Sequence, residues 1–278
     1  MKHSRLWVAP AVVVLGALSI YPLLFAIEVS LRTPQGYGLG NFARLARDQF
    51  FLVALAQTLV YTAGALVVEF TLGLLLALLL NREFRGHRTL RSILLIPMLL
   101  PPVVVAVIWR LILNPEFGVL NGTLRSWGVN TAGLTWFGSE STAMLSVILV
   151  DIWQWTPFMF LLLLAGLQGL PVEPFEAARV DGASPLEIFR RLTLPMLRPV
   201  IAIAVLLRAM DLLRVFDQIF ILTQGGPGFA TETVTLYIYR TAFRYWNFGY
   251  AAAMSFVLLA ATTLISRAFL RLLREQPA

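Results

Sequence analysis

Two short polar runs interrupt apolar stretches of the chain, and both carry groups able to do chemistry. In the first, Asp151, Trp153, Gln154, Trp155 and Thr156 precede Pro157. That set suits a sugar, because indole faces stack on rings and carboxylate and amide groups pair with hydroxyls. The proline also frees backbone carbonyls by removing a helical hydrogen bond and is expected to kink the helix. The same tryptophans can equally be packing or interface anchors. In the second run, Arg208, Asp211, Arg214 and Asp217 stand three residues apart. On one helix this spacing stacks alternating charges along a single face. Ionisable groups at membrane depth are costly and therefore face a bundle interior or a water-filled cavity, paired. The ladder reads either as the polar lining of a pathway or as a self-neutral structural brace. Glu69 is a lone carboxylate in another apolar run, and a partner across the bundle is expected for it.

Several chemistries are excluded. The chain has no cysteine, so neither a disulfide nor a thiolate site is available. His3 and His87 lie in polar flanks, which argues against metal ligation and intramembrane histidine catalysis. Lys2 is the only lysine, so no phosphate-binding loop of the Gly-rich, lysine-bearing kind exists here. The chain is therefore expected to be no enzyme and to hold no cofactor of its own.

The elements that must position these groups are membrane helices. Hydrophobic residues make up 58% of 278, charged residues 13%, and the mean hydropathy is +0.78, too much apolar surface for a soluble domain. Runs long enough to cross a bilayer fall near 6–29, 52–80, 93–113, 143–167, 200–222 and 248–269, given about 20 residues per crossing. The expected fold is all-α, with six transmembrane helices in a single domain over 1–278. The first run begins with basic residues but is too long for a cleaved export signal, so it is expected to stay as helix one. Thirteen basic residues, including Arg82, Arg85, Arg88 and Arg91, fall on the side of both termini, against six on the other. That side is expected to be cytoplasmic. The net charge of +7 sits in these juxtamembrane clusters, which points to lipid headgroups and away from nucleic acid.

The most informative stretch is a polar, amphipathic insert, EAARVDGASPLEIFRRLTLPMLRP, from Glu176 to Pro199. Pro174 can open a short helix, and Gly182 can end it in a left-handed conformation. Ser184, Pro185 and Glu187 then read as the capping box of a second helix with a proline start. Pro195 and Pro199 are expected to stop that helix.

This insert resembles the EAA signature of permease subunits of binding-protein-dependent ABC importers, through Glu176, Ala177, Ala178, Asp181, Gly182, Ala183, Phe189 and Pro195. The resemblance implies a cytoplasmic coupling segment, about 171–199, that docks on a separate ATP-hydrolysing subunit. Glu176 and Asp181 would contact or orient that subunit, and Ala177, Ala178 and Phe189 would supply the apolar docking face. A second stretch, Phe216-Asp217 through Thr223-Gln224-Gly225-Gly226-Pro227-Gly228 to Thr231-Glu232-Thr233, resembles carbohydrate importers of the maltose, trehalose and glycerol-phosphate type. Gln224 stands where the familiar form has Gly. The resemblance implies that Gly225, Gly226 and Pro227 form an outer loop facing a sugar-loaded binding protein. Trp109 to Asn121 and Asp151 to Pro157 extend it over most of the chain.

The resemblance implies alternating access driven by ATPase subunits, with a sugar, a di- or oligosaccharide, as cargo. Six helices rarely enclose a sugar pathway and no internal repeat is visible, so a second, similar permease is expected as partner in a heterodimer. The alternatives are a permease of the same class for glycerol 3-phosphate or another non-sugar solute, and a stand-alone channel or carrier.

Overall fold

The computed structural model describes residues 4–34, 36–82 and 84–274; Lys2 and His3 lie outside them. Among the described residues the regular structure is helical apart from one small antiparallel hairpin, Arg32–Thr33 with Gly36–Tyr37. Five helices are long and apolar enough to cross a membrane: Val12–Leu31 within α1 (Ser4–Leu31), α3 (Gln49–Leu80), α7 (Glu140–Gln168), the stretch Pro185–Leu212, and Phe248–Phe269 within α13 (Phe248–Arg274). A bent pair, α4 (His87–Leu99) and α5 (Pro102–Ile112), which meet at 96°, passes the same test when taken together and makes a sixth candidate span.

That bend corrects the expectation of a straight span over 93–113. Leu100 and Pro101 are both extended, with ψ of 138° each. Each precedes a proline, whose ring crowds the helical conformation of the residue before it.

The fifth span is corrected too. Pro195 and Pro199 do not stop the helix that begins at Pro185; α9 (Pro185–Ile188) runs through a π turn, Phe189–Thr193, into α10 (Leu194–Leu212). A proline at 195 has no N–H and presses on the carbonyl four residues back. The wider i→i+5 turn makes room for it, and the Thr193 hydroxyl donates to the Ile188 carbonyl at 3.4 Å. At its other end the helix stops at Leu212, short of the expected 222, and α11 (Asp217–Leu222) restarts after a four-residue break. Pro157 sits inside an uninterrupted α7.

The contacts divide the chain into two units. The first, Met1–Leu52 with Val234–Ala261, is organised by Asp48, just before α3. Its carboxylate accepts from the Phe50 and Phe51 N–H groups, from the Tyr237 hydroxyl at 2.9 Å and from the Tyr250 hydroxyl. Burial pushes the Asp48 carboxyl up, but these hydrogen bonds more than offset it and hold it below the usual range. In α1, Val13, Leu18 and Tyr21 are exposed, so this helix needs lipid or another chain around it.

The second unit, Val53–Thr233 with Thr262–Ala278, packs α3, α7 and α10 around Ala77, Leu80, Phe160, Leu163, Leu167 and Leu197. Glycine sets how closely α7 approaches α3. A Cβ on Gly73 would lie 2.6 Å from the Met159 Cβ.

Candidate functional site

Within the second unit, α3, α7 and α10 each bring one charged group to a single point. Arg208 of α10 donates from Nε to Glu69 Oε2 at 2.7 Å and from Nη2 to Glu69 Oε1 at 2.9 Å. The same Nη2 donates to Asp151 of α7. All three residues are 2% exposed or less. In lipid such groups are tolerated only when paired, and a guanidinium fork matches a carboxylate bidentately. Trp155, one turn beyond Asp151, places its ring 5.0 Å from the guanidinium carbon, a cation–π contact.

A buried amide relay adjoins this cluster. Gln154 donates to the Leu100 carbonyl at 2.9 Å and accepts from Gln218 at 2.6 Å, and Gln218 in turn accepts from the Tyr61 hydroxyl at 3.4 Å. The carbonyl left over at the α4–α5 bend is thereby satisfied without water, which a broken span requires.

Next to the cluster is a cavity of about 420 Å³, lined by Asp151, Trp155, Arg208, Asp211, Arg214 and Asp217, together with Phe216 and Gln218. Six residues expected to line a pathway therefore meet at one cavity, and Gln154 is buried beside it. The ladder itself does not form. Arg208 turns to Glu69 and Asp151; Arg214 and Asp211 are 3.7 Å apart and more than half exposed; Asp217 opens a separate helix. Three-residue spacing aligns side chains only on a continuous helix, and this one ends at Leu212. Trp153 is also elsewhere, edge-on to Trp109 at 5.6 Å and lining an apolar crevice of about 650 Å³ with Leu72 and Pro97. Glu69, outside both polar runs, and Gln218, next to Asp217 but not singled out as a pathway residue, also belong to the site. The signal for Glu69 is its isolation, since a carboxylate alone in an apolar span demands a cation.

The polar insert forms a helical hairpin, one short helix followed by the capped first turns of the fifth span. Glu173–Val180 (α8) has Pro174 in its first turn, Gly182 has φ +79°, and the Ser184–Glu187 capping box has both of its reciprocal bonds. Hydrogen bonds from the Ser184 backbone N–H and hydroxyl hold the Glu187 carboxyl below its ordinary range. Glu176, Ala177, Asp181 and Gly182 are exposed, whereas Ala178, Ala183, Phe189 and Pro195 are half-buried. Within the hairpin the most exposed large apolar side chains are Val180 at 87% and Leu186 at 64%, two residues the motif does not single out.

The loop with Gly225, Gly226 and Pro227 is pinned. The Thr223 and Thr231 hydroxyls bond at 2.7 Å, Thr231 donates to the Gly226 carbonyl at 2.9 Å, and Gly225 is buried. Gln224 takes a φ of +52°, a left-handed conformation that explains why glycine suits that position. Arg110 and Pro227 line one further cavity, of about 450 Å³.

The bundle of apolar helices, with its buried charge cluster and polar insert, shares its fold with a solved ABC transporter subunit. A solved bacterial ABC transporter that imports the acidic polysaccharide alginate matches at a TM-score of 0.86 and 23% identity, covering 100% of this chain and 98% of that one. The family of binding-protein-dependent transport system inner membrane components matches residues 69–275, and the chain belongs to it. Over 266 residues the chain is 41% identical to a probable ABC transporter permease protein, y4oQ, of Sinorhizobium fredii, covering 92% of this chain and 85% of that protein. Over 277 residues it is 37% identical to the trehalose/maltose transport system permease protein MalF of Thermococcus litoralis, covering 95% and 92%. Membership sets aside the stand-alone channel or carrier.

Proposed function

We propose that this chain is the permease subunit of an importer that passes a neutral di- or oligosaccharide from a binding protein to the cytoplasm, powered by separate ATPase chains. The observation that carries the sugar assignment is the cavity in which Trp155 and five charged side chains converge, a lining that offers a ring face beside hydrogen-bonding groups. The trehalose/maltose relative, aligned along nearly the whole chain, supports it. A second, similar permease completes the pathway, both termini lie in the cytoplasm, and ATP and Mg stay with the ATPase.

In this reading the hairpin from 171 to 199 is the lever. Glu176, Asp181, Val180 and Leu186 meet the ATPase, Ala177 keeps that face low, and Ala178, Ala183, Phe189 and Pro195 anchor it to the span. Gly225, Gly226 and Pro227 hold the loop that meets the binding protein. Uptake of labelled trehalose and maltose into vesicles carrying the complete complex tests the reading. ATP-dependent accumulation that Trp155→Ala abolishes is expected; uptake unchanged by that substitution contradicts the role of the cavity.

A further inference from the structure

Arg208 lines the cavity, yet its charge is already spent. Three of its five N–H donors go to carboxylates: the Nε–H and one Nη2–H to Glu69, the other Nη2–H to Asp151. Among the described residues no hydrogen bond involves its Nη1, so two donors remain beside the indole of Trp155. The wall as a whole is acidic. Asp151, Asp211 and Asp217 line it against Arg208 and Arg214, and Glu69 stands directly behind Arg208. Three carboxylates thus line the cavity against two guanidiniums, with a fourth behind. The formal charge of the lining is therefore net negative.

We propose that Glu69, which does not line the cavity, is a specificity-determining residue that makes Arg208 a hydroxyl donor instead of an anion site. The ligand class that follows is a neutral polyhydroxyl compound, with sugar phosphates and uronates excluded. This rests on the reading of the cavity as the substrate's passage. A lone arginine at that position would recognise carboxylate or phosphate bidentately; here its fork is filled from behind. The repulsion that an additional anion meets beside a net negative wall gives the discrimination.

The test uses the complex purified through this chain, in nanodiscs and without binding protein, titrated with trehalose and with trehalose 6-phosphate by saturation-transfer NMR. Wild type is expected to prefer trehalose. Glu69→Gln leaves Arg208 paired with Asp151, so no buried charge is orphaned, and it should shift the affinity ratio toward the phosphate by roughly three- to tenfold. Glu69→Asp should keep the wild-type ratio. Asp211→Asn, exposed and outside the buried cluster, removes a negative charge without touching packing and should shift the ratio in the same direction. A ratio unmoved in both neutral variants, with Trp155→Ala weakening trehalose, overturns the selectivity and leaves the passage standing. Wild-type preference for the phosphate overturns the selectivity equally. Absence of trehalose binding that depends on Trp155 overturns the passage, and this inference with it.

Discussion

The buried cluster of Glu69, Asp151 and Arg208 and the exposed hairpin of α8 and α9 are both polar interruptions of an apolar chain, and they are built in opposite ways. The cluster takes one residue from each of three helices up to 139 positions apart, and every charge is satisfied inside the protein. The hairpin is assembled from neighbours: a proline start, a left-handed glycine and a capping box between Pro174 and Glu187, with Val180 and Leu186 left uncovered. One is finished within the chain, and the other asks for a partner. Substitutions in the first should therefore be read in stability, and substitutions in the second in coupling.

The largest effect is expected from Arg208→Met. It leaves two carboxylates buried without their cation, and breaking a buried pair in this way costs about 3–5 kcal/mol. Thermal unfolding of the purified complex should drop steeply, whereas Glu69→Gln, which preserves the pair with Asp151, should fall by clearly less. Equal losses would mean that the three residues do not act as one cluster.

Next comes Gly182→Val. At φ +79° a β-branched side chain is strained, although nothing crowds the site. The complex should still assemble and hydrolyse ATP but lose most of its uptake. Normal, coupled uptake would remove Gly182 from the lever.

Ser184→Ala deletes a cap worth about 1 kcal/mol of local helix stability, so uptake per ATP should fall partway. The same box gives a pH dependence with a fixed sign. The Glu187 carboxyl is held below its ordinary value of 4.5, so its contribution is present above that value and is lost as pH falls through the depressed one. The efficiency of wild type at acid pH should approach that of Ser184→Ala, and divergence would show that the box is not what stiffens the hairpin. The smallest effect is Gln224→Gly, which relieves a left-handed non-glycine residue and should raise the midpoint of thermal unfolding by a degree or two without changing uptake.

The same contrast explains what could be read from the sequence. The hairpin was legible because its signals are local: Pro174, Gly182 and the Ser184–Glu187 spacing each constrain the few residues around them. The apolar runs were legible as membrane helices for the same reason. Their ends were not. Pro195 reads as a stop because proline forbids an ordinary helical bond, and only the π turn at Phe189–Thr193 shows how the helix absorbs it. The break after Leu212 has no glycine or proline to announce it, so the ladder from Arg208 to Asp217 looked continuous. The partnership of Arg208 with Glu69 and Asp151 depends on how three helices rotate against one another. Nothing local to any of them specifies that, although the isolation of Glu69 does demand a cation somewhere.

The account stands on a hairpin that needs a partner, and the most direct measurement is affinity purification of the tagged chain in mild detergent with mass spectrometry of the proteins it retains. Recovery of an ATPase and a second permease, with the ATPase lost when Glu176 and Gly182 are both replaced, is the predicted result. A lone oligomer of this chain, or an ATPase retained undiminished by the double variant, would contradict it.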